Sequence, residues 1–501
     1  MHPTSLPGPY GVGDLGRFAR AFVDALQTAG QRWWQMLPLQ PTGFGGSPYS
    51  ALSAFAGNPI LIDLEALVSY GWLAQDALDT LEQDCKAFPE TAFCIAEVST
   101  AKEALLDKSF EGYLGAENKQ PEGFSLSFSD FCEKEKEWLD DFALFIALKE
   151  DNGGKDWREW SSELVAREPK ALAAATKRLE KALQRHKFFQ WVFSQQWDLL
   201  RKYAAERKVL MIGDIPIFVA MDSVDVWARR ELFLLDEQGN AKVVSGVPPD
   251  YFSKTGQKWG NPLYDWDHLK STDYRWWFDR VRQALKTVDL IRIDHFRGFE
   301  SYWEVPADAP TAEKGQWLKG PGDHFFETMY DDLGELPLIA EDLGIITDEV
   351  IALRDRQRLP GMKILQFAFD GNPDHPFLPH TYPENCVAYT GTHDNDTTQG
   401  WYNSTDDLSR HRVRTYLSHP DEGIVWRMMQ AILDSKARMV LFPVQDLFTL
   451  GSDMRMNTPG IAEGNWGWRL TQAQLEEKGV WERLGGLCKD THRIPELPPA
   501  Y

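Results

Sequence analysis

Apolar positions recur with two different periods along this chain, and the change of period divides it. Residues 15–30 carry apolar side chains at helical spacing, and a short apolar run follows at Trp33-Trp34-Gln35-Met36-Leu37-Pro38-Leu39. Residues 64–203 are polar and helix-rich. Within them Trp138, Phe142 and Phe145 fall on one helical face, as do Phe193, Trp197 and Leu200. Loop-like breaks are expected at 115–123 and 152–154, where glycines interrupt the pattern. Beyond 203, short strand-like runs return at 209–214, 290–294, 338–341, 363–369, 387–394 and 438–445. Helical patterns such as 276–287 and 348–357 separate most of them. Strands alternating with helices predict an α/β fold with a parallel sheet, and 501 residues suit one (β/α)8 TIM barrel with helical insertions. The stretch 64–203 reads as a largely helical inserted subdomain. With 33–39 included, seven strand-like runs are found, whereas a closed barrel has eight.

Four of the runs deliver a carboxyl group at their ends: Asp214, Asp294, Glu341 and Asp394. A parallel barrel keeps its chemistry on the C-terminal rim, and paired carboxyls there fit glycosidic-bond chemistry, which needs an acid and a nucleophile. Arg292 precedes Asp294 by two positions, so both side chains leave an extended strand on the same side. A guanidinium there is expected to lower the Asp294 pKa and keep it ionised, as a nucleophile requires. Glu341 is followed by Asp342. A second acid and partial desolvation are expected to raise its pKa, so that it holds a proton near neutrality. His393, next to Asp394, is placed to donate to a sugar hydroxyl. Each position has a plainer explanation when taken alone: an ion pair for Arg292 and Asp294, a solvated acidic turn for Glu341, a polar turn for Asp394, a structural histidine for His393. Together they favour a site.

Composition narrows the ligand. Asp and Glu number 75 against 53 Lys and Arg, a net charge of -22, which argues against nucleic acid and anionic membrane as partners. Aromatic residues make up 13% of the chain, including 20 tryptophans, most of them read as core; the remainder are available to stack on sugar rings. The cysteines Cys85, Cys94, Cys132, Cys386 and Cys488 form no CxxC pair, so a zinc site is not expected. With no signal-peptide pattern and no long apolar stretch, a cytoplasmic location is expected. No residue set implies a metal or an organic cofactor.

Several longer motifs then stand out. They are His2-Pro3-Thr4-Ser5-Leu6-Pro7-Gly8, Ser47-Pro48-Tyr49, Ala54-Phe55-Ala56-Gly57-Asn58-Pro59, Gly213-Asp214-Ile215-Pro216-Ile217-Phe218-Val219 and Gly246-Val247-Pro248-Pro249-Asp250-Tyr251-Phe252. To these add Gly260-Asn261-Pro262-Leu263-Tyr264, Arg292-Ile293-Asp294-His295-Phe296-Arg297-Gly298, Ala340-Glu341-Asp342-Leu343-Gly344 and Gly391-Thr392-His393-Asp394-Asn395-Asp396. In this order they resemble the amylomaltases, or disproportionating 4-α-glucanotransferases, of the α-amylase clan, and the resemblance spans nearly the whole chain. It implies one catalytic barrel domain over 1–501, with a loop at 246–266 over the cleft. It further implies that Asp294 is the nucleophile, Glu341 the general acid/base and Asp394 the third carboxylate, holding the distorted donor ring. Arg292 and His393 would support the donor subsite, with Asp214 nearby and Tyr49 stacked on the donor glucose. Asp250, Tyr251, Gln257 and Trp259 would contact sugar from the loop, and Asp370 and Asn465 would contact substrate elsewhere. The expected partners are α-1,4-glucans and maltooligosaccharides, with glucose as an acceptor. Members of the family carry a short apolar strand before the His-Pro-Thr-Ser motif, and here the sequence starts at Met1-His2, so the first barrel strand is expected to be missing. An α-1,4-glucan hydrolase with the same carboxylates is the nearest alternative, and a non-catalytic glucan-binding barrel a more distant one.

Overall fold

A computed structural model describes residues 1–116, 119–249, 254–418 and 423–494. Its strands, in chain order, are β1 (Trp33–Gln35), β2 (Leu210–Pro216), β3 (Val243–Val247), β4 (Gln257–Pro262), β5 (Leu290–Asp294), β6 (Ser301–Pro306), β7 (Gln316–Lys319), β8 (Leu338–Ala340), β9 (Gly361–Ile364), β10 (Cys386–Tyr389) and β11 (Met439–Leu441). Seven of them are parallel, in the orders β1-β2-β5-β8 and β9-β10-β11. The amide of Ala340 donates to the carbonyl of Pro360 at 3.0 Å and joins the two groups into one arc. Ile291 and Ile293 on one face of β5, and Leu290 on the other, are all buried, as expected of a parallel sheet covered on both sides. The helix Arg17–Thr28 shows how that cover forms. Phe18, Phe22 and Leu26 repeat at i, i+4, and Phe22 meets the edge of Trp34 on β1 at 5.0 Å.

The arc is open between β11 and β1. A cavity of about 160 Å³ lies there, lined by Trp33, Gln35, Met362, Tyr389, Val440 and Leu441 among others. The first residue runs beside β1: the Met1 amino group donates to the Gln35 carbonyl at 3.2 Å, and Trp34 Nε1 donates to the Met1 carbonyl at 2.6 Å. Four runs are shorter than expected. The run at 33–39 is strand only to Gln35, and that at 387–394 only to Tyr389, so Asp394 lies in a turn five residues past the strand rather than at its end. The run at 363–369 turns into a 3-10 helix at Leu365–Phe367, and that at 438–445 stops before Pro443, which caps a short helix at Val444–Leu447.

Between β1 and β2 the described regular structure is helical, and its axis is the helix Glu180–Glu206. Phe193, Trp197 and Leu200 are buried on it. Three buried glutamines tie this helix to neighbouring backbone. Gln190 receives the Gly57 amide at 2.8 Å and donates to the Gly57 carbonyl at 2.8 Å. Gln196 does the same at Asp63, at 2.7 and 3.2 Å, and Gln195 receives the amides of Ser125 and Leu126 at 2.6 and 3.0 Å. Such bonds satisfy loop backbone that would otherwise be buried without partners. Gly57 is required by this packing, because a Cβ there would stand 2.0 Å from the Phe193 ring. The insert thereby fixes the segment that follows Tyr49.

The remaining strands form an antiparallel sheet ordered β4-β3-β6-β7. The stretch 246–266 is therefore not a loop throughout, since its second half contains β4, paired with β3 at Gly246↔Lys258 and Val247↔Gln257. Asp250 and Tyr251 lie outside the described residues.

Candidate active site

Strand register assembles the first part of the site. Asp214 on β2 stands opposite Arg292 on β5, and Asp294 follows on the same side of β5. Arg292 Nη1 donates to both Asp214 carboxylate oxygens at 2.8 and 2.7 Å, while Nη2 reaches Asp294 Oδ1 at 2.8 Å. The two-residue spacing thus places both groups as expected, with Asp214 as a second anion on the guanidinium. Arg292 is buried, and these paired, charge-assisted bonds offset the cost of burying it. The Tyr49 hydroxyl donates to Asp214 Oδ2 at 2.7 Å. Its ring stacks on His393 at 5.3 Å and 15°, and Trp466 packs against both rings at 5.9 Å.

Glu341 follows β8, next to β5. Its carboxylate accepts the Leu343 amide at 2.8 Å and the His295 amide at 2.7 Å. His295 has a left-handed backbone, φ 53°, which ends β5 and turns its amide toward that carboxylate. Asp342 faces the other way, bound to Arg354 and to the Met362 amide. Burial is the main cause of the raised Glu341 pKa, about 6, and Asp342 adds a smaller push. Asp294 differs from expectation. Burial, reinforced by Asp214, Glu341 and Asp394, outweighs the guanidinium and pushes it up to about 8. The pair therefore carries a proton near neutrality. The 2.8 Å bond from Arg292 favours the charge on Asp294, and the Leu343 and His295 amides favour it on Glu341, so the proton is shared between the two carboxyls. His393 is held below its ordinary pKa by burial and is neutral.

Asp394 is the most open of the carboxylates, with its side chain half exposed, and lies 3.3 Å from His393 Nε2. Two residues missed by the sequence reading hold it. Asn457 Nδ2 donates to Asp394 Oδ1 at 2.6 Å, and Arg455 donates to the Asp394 carbonyl at 2.5 Å. Asn465 lies in the same loop, but its amide is used internally, accepting from the Thr458 amide at 2.8 Å and donating to the Ile461 carbonyl at 2.7 Å. On β4, Trp259 meets the His295 ring edge to face at 4.8 Å and donates to Gln257 at 3.4 Å. Asp370 follows the 3-10 helix Leu365–Phe367. It accepts the Asn372 amide at 2.8 Å and faces His375 at 3.8 Å. Among the described residues no group of three or more His, Cys, Asp or Glu could hold a metal ion, and no helix is long and apolar enough to cross a membrane.

A sequence profile of the 4-alpha-glucanotransferase family matches residues 1–474. The chain belongs to the 4-α-glucanotransferase family. The family's enzyme from Thermus thermophilus is 48% identical over 503 residues, 99% of this chain and 98% of that one. Its counterpart from Synechocystis is 46% identical, over 95% of this chain and 94% of its own. The amylomaltase from Streptococcus agalactiae, solved with acarbose, superposes with a TM-score of 0.93 at 38% identity, covering 98% of each chain. The amylomaltase from Corynebacterium glutamicum, 17% identical with a TM-score of 0.78 over 97% of this chain and 74% of that one, shares the fold. The seven-stranded arc is thus a 4-α-glucanotransferase fold, and the enzyme class is glucan transfer.

Proposed function

We propose that this 4-α-glucanotransferase works by double displacement with Asp294 as nucleophile and Glu341 as general acid/base. The observation that carries this reading is the difference in how the two carboxyls are held. Asp294 is bound to a guanidinium, and Glu341 is buried beside it on two backbone amides. Asp294 attacks the anomeric carbon of an α-1,4-linked donor while Glu341 gives its proton to the leaving O4. The reducing-end fragment departs, and a β-glucosyl ester remains on Asp294. Glu341, now a carboxylate, takes the proton from the 4-hydroxyl of an acceptor. That oxygen attacks the anomeric carbon, the ester bond breaks, and an α-linkage returns after two inversions.

Asp394 binds hydroxyls of the donor ring, with Asn457 and Arg455 as positioning residues. Tyr49 and His393 form its stacking and donor wall. Gln257 and Trp259 contact sugar and limit the access of water, and Asp250 and Tyr251, outside the described residues, are carried as further sugar contacts on the resemblance alone. Asn465 shapes the 457–465 loop. Asp370 is assigned to a further substrate contact. Glucose and short maltooligosaccharides are the acceptors, drawn from glycogen or starch breakdown in the cytoplasm, a compartment in keeping with five unpaired cysteines.

Trapping tests the assignment. Glu341→Gln protein treated with α-maltosyl fluoride, whose leaving group needs no acid, is expected to accumulate a glycosyl ester. Peptide mass mapping should place it on Asp294, and an ester on any other residue refutes the reading.

A further inference from the structure

Asp446 lies on the short helix Val444–Leu447 that follows β11, and it is 1% exposed. Its carboxylate takes no part in the site above, yet the hydrogen bonds it accepts come from the two ends of one loop of that site. Oδ2 accepts the Thr390 hydroxyl at 2.5 Å and the Thr398 hydroxyl at 2.8 Å, while Oδ1 accepts the Thr398 amide at 3.1 Å. Thr390 comes directly after β10, and Thr398 opens the helix Thr398–Ser404. His393 and Asp394 lie between them. Gln366, also buried, ties the same ends a second time. Its Nε2 donates to the Asp396 carbonyl at 3.0 Å and to the Thr398 hydroxyl at 3.3 Å, and its backbone amide donates to the Thr390 carbonyl at 3.3 Å. It passes so close that a Cβ on Gly391 would stand 2.5 Å from that nitrogen.

Burying a carboxyl group costs free energy that its donors must offset, and burial pushes the Asp446 pKa up while the two threonines hold it down. An apolar side chain would fill the same volume without that cost, but it could not bind both ends of the loop. Within the loop the remaining polar groups serve one another. Asn395 Oδ1 accepts the Thr392 amide and hydroxyl, each at 2.9 Å, and the Asp394 amide donates to the Thr392 hydroxyl at 3.3 Å. The loop is thus a closed unit whose placement depends on its two ends. A reacting group displaced by about 1 Å can lose on the order of 100-fold in rate, so the hold on those ends bears on the chemistry.

We propose that Asp446 is a positioning residue for glucan transfer, clamping Thr390 to Thr398 so that Asp394 and His393 meet the donor ring at a fixed place. This rests on Asp394 being the donor-ring carboxylate, and the test reads Asp394 separately so that the two can fail apart. Rates are taken from fluoride release by α-maltosyl fluoride with glucose as acceptor, a donor whose departure needs no proton from Glu341. Asp446→Ala is expected to lower kcat by about 10- to 100-fold in the parent, with KM within about threefold. In the Asp394→Asn background the same change is expected to cost less than about threefold, because the group it positions is already gone. Asp446→Asn is expected to stay within about fivefold of the parent, since its carbonyl still accepts the Thr398 amide and its NH2 donates to hydroxyls that can turn to accept. If Asp446→Ala fails to fold, Thr390→Val combined with Thr398→Val removes both hydroxyl bonds from the other side and is expected to show the same dependence on Asp394. An equal loss in both backgrounds makes the clamp part of the fold alone and overturns the proposal. Parental turnover in Asp446→Ala beside a crippled Asp394→Asn protein overturns it too and leaves the donor-carboxylate reading standing. Near-parental turnover in Asp394→Asn removes that reading and this proposal with it.

Discussion

At Asp394 the carboxylate proposed to hold the donor ring depends on a side chain 63 residues away. Asn457 bonds it at 2.6 Å, and this half-exposed carboxylate needs such a bond to keep one orientation through the reaction. Asn457→Ala is expected to lower kcat by about 10- to 100-fold with a small change in KM, the size of one hydrogen bond to a charged group. Asn457→Asp should be worse, because it sets a like charge against Asp394. Steady-state kinetics on maltotriose check both. The protonation of the pair sets the pH profile. On the proposed roles, both carboxyls are protonated below about 6 and the nucleophile is lost, and above about 8 neither holds a proton and the acid is lost. The profile of kcat/KM is therefore expected to be bell-shaped between those limits, and a plateau extending well above pH 8 would count against a shared proton. The Arg292–Asp294 pairing was legible because a strand repeats every two residues. Asp214 as Arg292's second partner required the β2–β5 register, and Asn457 left no local pattern at all.

Among the elements, the helix Glu180–Glu206 and the antiparallel sheet each reach the site through particular side chains. The helix packs Trp191 against Trp72 at 5.8 Å and Phe124 at 5.2 Å and holds Gly57 through Gln190. Trp191→Ala is expected to cost about 3–5 kcal/mol, seen as a lower denaturation midpoint, since it empties a large volume from a packed aromatic cluster. Gly57→Ala is expected to destabilise by about 1–3 kcal/mol through the clash with Phe193, and to weaken donor binding as the segment after Tyr49 shifts. In the sheet, Trp259 reaches the His295 ring, and the His295 amide holds Glu341. Trp259→Ala should therefore raise the ratio of glucose-releasing hydrolysis to transfer, measured by product ratio on maltotriose; an unchanged ratio would remove Trp259 from the water shield. The helices between β1 and β2 were visible in the sequence because their apolar faces repeat at helical spacing. The antiparallel sheet was not: β4 reads Gln-Lys-Trp-Gly-Asn-Pro, a polar, glycine-bearing run whose strand character comes from pairing with β3.

Across the whole molecule, seven parallel strands bring Asp214, Asp294, Glu341 and Asp394 to one rim although they span 181 positions of sequence. The strands were legible as apolar runs, and so was their number. Their order was not, because nothing local records that β5 lies between β2 and β8 with the antiparallel strands looping out. Hydrolysis and transfer share the same glycosyl ester, so the carboxylates alone do not decide between water and sugar. On the proposed reading that choice belongs to the residues around them, Tyr49, His393 and Trp259 among them. The most direct test is the product ladder from maltotriose as sole substrate. Transfer predicts glucose together with maltopentaose and longer oligomers, whereas a ladder holding only glucose and maltose would contradict the account.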